Sequence, residues 1–233
     1  MKAIFKREFK AYFTSPLGFV ILAIMFFFLG YIFSSIFSSD YNNISYCFVY
    51  INTYSMLIVP LITMRLFSEE RKQKTDQLLF TSPVKLWKIV GGKYLAAFSL
   101  FALCYSISLI FQFILMAFST INWMLYLSSL LGTFLMGGAI LAIGLFISSC
   151  TESQIVAAIL GIIVSLLIMM IDYFSALFSN DILTAICDYI SFNNRFNTFA
   201  SGIIDFSNAV FFLSVIALFL FLTVRSLERK RWA

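Results

Sequence analysis

The chain contains no histidine. That removes Ser–His and Cys–His nucleophile pairs, HExxH metal sites and every imidazole general base. It also lacks a GxxxxGK[ST] phosphate loop: Gly91-Gly92-Lys93-Tyr94 has neither the spacing nor the hydroxyl. The four cysteines, Cys47, Cys104, Cys150 and Cys187, form no CxxC pair, so a zinc or redox site is not expected. Cys47 and Cys187 fall on the same side of the expected topology, which leaves a disulfide open. Charge is scarce as well, at 12% of 233 residues, where a soluble domain carries about 25%. No cleavable signal is expected, because the N-terminus is basic and amphipathic and the first apolar run is too long for one. The sequence therefore offers no catalytic, cofactor-binding or metal site.

What is there is apolar. Hydrophobic residues make up 61% of the chain and the mean hydropathy is +0.96. A soluble fold of this size could not hide that much apolar surface, whereas lipid accepts it. A bilayer core of about 30 Å needs roughly 20 apolar residues as helix, and lipid leaves helices as the form for such segments. Six segments qualify: about Leu17 to Phe37, Tyr46 to Met64, Tyr94 to Phe118, Leu125 to Ser148, Ile155 to Ile171 and Ala209 to Val224.

Fifteen of the sixteen Lys and Arg residues lie in three patches beside these segments. The patches are Lys2, Lys6, Arg7 and Lys10; then Arg65, Arg71, Lys72, Lys74, Lys85, Lys88 and Lys93; then Arg225, Arg229, Lys230 and Arg231. Basic residues flanking spans stay on the cytoplasmic side, so both ends and the 65–93 loop are expected inside the cell. Arg195 alone lies elsewhere, in a long segment (172–208) with Asp172, Asp181, Asp188 and Asp205 on the opposite side. The net charge of +5 reads as orientation and headgroup attraction, not as a nucleic-acid surface.

Several residues stand out within this frame. Ile4, Phe5, Phe9, Tyr12 and Phe13 can share one broad face of an N-terminal helix, with Lys2, Lys6, Arg7 and Lys10 on the rest. Such a helix lies in the membrane interface, and Ser15-Pro16 breaks it. Pro60 should kink the second span. Asn52, Thr53 and Ser55 lie one to two turns before it, and Gln112 is the most polar residue deep in the third span. These five are candidate pathway residues, although interhelical hydrogen bonding explains them equally well. Small residues recur at helical spacing: Gly138 with Ala142, Gly144 with Ser148, and Ala157, Gly161 and Ser165. They fit either packing within the chain or a subunit interface. In the 65–93 loop, Ser68 is placed to cap a helix that would carry Glu69 and Glu70 in its first turn, and Ser82-Pro83 ends it.

That loop reads RLFSEERKQKTDQLLFTSPVKLWKIVGGK. It resembles the cytoplasmic loop of ABC-2 type transporter permeases. There, an acidic-basic pair follows the second span, and a Thr-x-x-Leu-Leu helix, Ser-Pro-Val and Gly-Lys come after it. The matching residues are Glu69, Glu70, Arg71, Thr75, Leu78, Leu79, Thr81, Ser82, Pro83, Val84, Gly92 and Lys93. FKREFKAYFTSPLGFV resembles the N-terminus of the gliding-associated and copper-enzyme-maturation branch. RFNTFASGIIDFSNAVFF with SLERKRW, through Phe196, Gly202, Ile203, Ile204, Asp205 and Trp232, resembles its end. The chain departs from many relatives at Lys74, where they have Gly, and at Gln77, where they have Glu.

The resemblance implies one ABC-2 type domain over residues 1–233. It is an all-α membrane protein of six transmembrane helices, with an interfacial helix over 1–16 and a cytoplasmic coupling helix in 65–93. Short outer helices lie in the re-entrant segment 172–208, with Phe192, Phe196 and Phe199 expected to turn into the membrane or bundle and Arg195 expected near the headgroups, where Asp188 or Asp205 can pair with it. Glu69, Glu70, Arg71, Thr75, Leu78, Leu79 and Pro83 would couple to a cytosolic ABC ATPase subunit, which would hold the ATP and Mg that this chain has no motif to bind. A second permease copy or a paralogous permease would complete the pathway, in a bacterial plasma membrane with both termini cytoplasmic. The resulting function is the membrane subunit of an ATP-driven exporter. A membrane anchor or force-transmitting scaffold is the alternative.

Overall fold

The computed structural model describes residues 1–38, 45–72, 85–118, 122–177 and 181–232. Eleven helices occur among them, and no strand. In chain order they are α1 Lys2–Thr14, α2 Pro16–Ser38, α3 Ser45–Thr63, α4 Arg65–Lys72, α5 Leu86–Cys104 and α6 Ile107–Met116. There follow α7 Trp123–Cys150, α8 Gln154–Leu177, α9 Asp181–Ile190, α10 Phe192–Ala200 and α11 Phe206–Trp232. Six stretches are long and apolar enough to cross a membrane: α2, α3 with α4, α5 with α6, α7, α8 and α11. The fold is thus an all-α six-span bundle, with both ends of the chain at the pole that carries the basic residues.

α7 is the centre. In its most apolar stretch 72% of residues are buried, against 17% for α8, although both are strongly apolar. The difference comes from small side chains. Ser128, Ser129, Gly132, Thr133, Gly137, Gly138, Ala139, Ala142, Gly144 and Ser148 are all buried on α7, and small residues let membrane helices approach closely. Gly144 lies so near Thr63 of α3 that no Cβ fits between them, and Gly161 of α8 faces Pro60 in the same way. Ala157 and Ser165 are buried too. The small-residue ridges are therefore spent on contacts within the chain.

Two spans differ from their expected limits. α5 begins at Leu86, eight residues before Tyr94, because Leu86, Ile89 and Val90 are buried; Gly91-Gly92-Lys93 is helical, not a lead-in. The same span is interrupted at Tyr105-Ser106. There Ser106 Oγ donates to Leu103 O at 2.7 Å and Ser108 Oγ to Tyr105 O at 2.7 Å, and hydroxyls bonded to nearby carbonyls compete with the helical ladder. α3 ends one turn after Pro60, at a turn on Met64.

At the far pole α9 and α10 form short helices between the fifth and sixth spans. Ser191 caps α10, its Oγ accepting from Asn194 N at 3.0 Å. Phe192, Phe196 and Phe199 are buried, and Ser128 of α7 donates to Phe199 O at 2.7 Å. These helices sit on the bundle, as expected. Arg195 does not pair as expected. It is 8% exposed and bonds Asn208 Oδ1 at 2.7 Å and Tyr189 O at 2.8 and 3.1 Å. The rings of Tyr189 and Phe211 lie 4.7 and 4.0 Å from its guanidinium carbon. Asp188 instead accepts from Asn194 and Asp205 from Ser207 N. A guanidinium enclosed by carbonyl, amide and aromatic faces gains contacts that a headgroup position would not give it. The four cysteines are unpaired.

Candidate coupling site and buried polar core

At the basic pole, α1 lies against α2, α4 and α5. Its apolar face carries Tyr12, which is buried and donates through its hydroxyl to Ile62 O at 2.8 Å. Burial raises the phenol pKa well above its ordinary range, so the hydroxyl keeps its proton for that bond. One residue past the helix, Ser15 Oγ accepts from Arg65 Nη1 at 2.6 Å.

The polar face of α1 builds an ion network. Arg7 contacts Glu8 at 2.6 Å and Glu70 of α4 at 2.7 Å. Lys93 of α5 contacts Glu8 at 3.2 Å and Glu70 at 3.0 Å. Two cations thus face two carboxylates across three helices. Lys93 is 0% exposed. It also donates to Leu66 O at 2.5 Å and lies 4.9 Å from the Phe67 ring centre. A buried ammonium is tolerable only when paired and hydrogen-bonded in this way. The hydrogen bonds that Arg7 donates to Glu8 raise its pKa beyond its already high value, against the opposing effect of burial.

α4 is joined to the rest of the bundle as well. Arg71 contacts Glu152 in the α7–α8 turn at 3.3 Å and Ser149 O at 3.4 Å. Ser148 of α7 accepts from Phe67 N and Ser68 N and donates to Met64 O. Arg65 pairs with Glu69 at 3.0 Å, one turn on. Ser68 is not a cap. The helix starts at Arg65, so Ser68 is internal and its hydroxyl donates to Met64 O, while Glu69 and Glu70 lie beyond the first turn. Of the coupling residues read from sequence, the structure brings Glu70 and Arg71 into contacts with other elements and leaves Glu69 paired along its own helix. Thr75, Leu78, Leu79 and Pro83 lie outside the described residues. Arg7, Glu8, Tyr12 and Lys93 were missed as site residues. The signal for Lys93 was its place as the last cation of its patch, directly before the apolar run that begins at Tyr94.

The candidate pathway residues divide. Asn52 is buried between α5 and α7: its amide donates to Thr133 Oγ1 at 3.3 Å, and Tyr105 OH donates to its Oδ1 at 3.2 Å. Ser55 donates to Asn52 O at 2.9 Å. Ser45 with Ser129 at 3.2 Å and Ser108 with Tyr126 at 3.0 Å extend the same polar core. Thr53 is exposed and bonds its own helix at Val49 O. Pro60 is buried against Gly161. Gln112 is buried apart from Asn52, and its Oε1 has no partner among the described residues. No cluster of three potential metal ligands occurs among the described residues.

A family model described as ABC-2 family transporter protein matches residues 37–225. The chain belongs to the ABC-2 transporter family. A search of curated protein sequences finds no match. In this ABC-2 permease the match spans the whole of α3 through α10 and most of α11, so the buried Asn52 core, α4 and Lys93 fall inside it. α1 and most of α2 precede it. The chain is a multi-pass membrane subunit of an ABC transporter, and it is the membrane domain rather than the ATPase.

Proposed function

We propose that this subunit forms the substrate pathway of an exporter, as a dimer, and that separate cytosolic ATPase subunits drive it from the basic pole. That pole then faces the cytoplasm of a bacterial cell. One observation carries the reading: α4 is tied at once to α1 through Glu70–Arg7, to α5 through Glu70–Lys93 and to the α7–α8 turn through Arg71–Glu152. A load applied beside α4 reaches α1, α5 and the central α7 through ion pairs and buried packing. Glu70 and Arg71 act within the bundle, transmitting the load. The docking surface for the ATPase falls to the end of α4 and the residues after it. Lys72 is exposed there, and Thr75, Leu78, Leu79 and Pro83 come next in sequence. ATP and Mg belong to the partner.

The test is co-purification of the chain with a cytosolic ABC ATPase from the same cell. Lys72→Glu and Leu79→Asp leave insertion intact but lose the ATPase and its stimulated hydrolysis. ATP-dependent flux in vesicles is lost with them. Retention of both binding and stimulation in both variants would show that the ATPase docks elsewhere.

A further inference from the structure

A cleft of about 560 Å³ opens between α2 and α3, in the half of the bundle away from the basic pole. Tyr46, Tyr50 and Tyr54 line one wall from α3, with Tyr31 and Ser35 opposite on α2. The three α3 tyrosines are four residues apart and so share a face. They form a ladder of phenols about 12 Å long, from the end of the span toward its middle. All four tyrosines are exposed. The hydroxyls of Tyr31, Tyr50 and Tyr54 bond no other described residue, while Ser35 donates to Tyr31 O at 3.0 Å. The Tyr54 ring is held by stacking on Phe28, with centroids 4.8 Å apart.

Tyrosine at a span end is ordinary, since its ring sits in hydrocarbon and its hydroxyl among headgroups. That accounts for Tyr46. It does not account for Tyr54, two turns deeper in a half-bilayer of about 15 Å. A phenol at that depth has bulk acyl chains for neighbours and gains from any oxygen brought down to it.

We propose that this cleft binds a neutral amphiphile whose polar part carries several hydroxyl or ester oxygens, of the glycolipid type. Phenols both donate to and accept from such oxygens, and ring faces cover the C–H faces of a sugar. No charged side chain lines the cleft among the described residues, so an anionic headgroup finds no counter-ion there. The volume is within the range of ligand sites, about 300–1,000 Å³. A second copy of the chain is a poorer occupant. Close helix pairing uses small residues, and this face presents large aromatics, while Gly138, Gly144 and Gly161 of the small-residue ridges already meet α3, α5 and α11. The binding stands apart from the transport reading; only the movement of the ligand depends on it.

The test uses the full chain, without any ATPase, in phosphatidylcholine nanodiscs. Three diazirine-tagged lipids with matched acyl chains are compared: monogalactosyl diacylglycerol, phosphatidylglycerol and phosphatidylcholine. Sites of capture are mapped by mass spectrometry. The galactolipid labels the α2–α3 cleft in preference to the other two. Tyr50→Phe with Tyr54→Phe, which keeps both rings, cuts that capture by about fivefold to tenfold. Labelling of the exposed face of α8 at Ile159 and Ile163 is unchanged. Equal capture of all three lipids, or unchanged galactolipid capture in the double Phe variant, overturns the proposal. So does efficient cross-linking between copies through Tyr50→Cys in a chain stripped of its own cysteines, since the face is then a subunit interface. If galactolipid is captured as expected but is not moved on addition of ATP and the ATPase, the site stands and the galactolipid is a resident lipid of the cleft, not the exported substrate.

Discussion

Lys93 holds a full charge where solvent does not reach, and its neighbours decide whether that is stabilising. Removing one member of a buried ion network leaves the others uncompensated, at a cost of about 3–5 kcal/mol. Lys93→Met should therefore lower the unfolding midpoint sharply. Adding Glu8→Gln and Glu70→Gln to it should recover part of the loss, because the stranded carboxylates are then gone. Thermal unfolding in detergent reads both. Gln112 is the opposite case: its Oε1 is buried with no partner among the described residues, so its burial costs more than it returns. Gln112→Leu should be neutral or stabilising, within about 1 kcal/mol, and a marked loss of stability would mean that the amide is bonded. The sequence showed Gln112 as a polar residue deep in a span and Lys93 as the last cation of a basic patch. It did not show that one is satisfied and the other not, because the partners of Lys93 lie 85 and 23 residues away, on other helices.

Among the helices, intervals of apolar sequence revealed the six spans, and the Ser15-Pro16 break and the short helices of 172–208 were legible as well. The start of α5 was not. Gly91-Gly92 reads as a breaker, yet packing of Leu86, Ile89 and Val90 carries the helix through it, as tertiary contacts commonly override propensity. The interruption at Tyr105-Ser106 was hidden for a similar reason, since it rests on hydroxyl bonds to the backbone. Contact at Gly144 gives a prediction at this scale. Gly144→Ala drives a methyl into Thr63 and should cost about 1–3 kcal/mol by forcing α3 and α7 apart. Gly30, which has open space before it, is the control: Gly30→Ala should stabilise α2 by about 0.5–1 kcal/mol. If the two alanines behave alike, close approach is not what the small residues of α7 provide.

For the whole molecule, hydropathy alone ranks α8 above α7, yet α7 is the hub. The usable signal was size: α7 is built from Gly, Ala and Ser, and α8 keeps Ile, Val and Leu on its exposed face. The charge pattern predicts the orientation. In a chain without its own cysteines, Ser201→Cys should react with an impermeant maleimide added to intact cells, and Lys85→Cys should react only after lysis. The reverse result would invert the topology. The seat of α1 has a further consequence for the order of assembly. α1 leaves the ribosome before its partners: Tyr12 bonds Ile62, Arg7 pairs with Glu70, and Glu8 pairs with Lys93. The N-terminal helix thus waits on the membrane surface until the third span has been threaded. A nascent chain arrested before Leu86 should leave α1 open to protease, and one arrested after α7 should protect it.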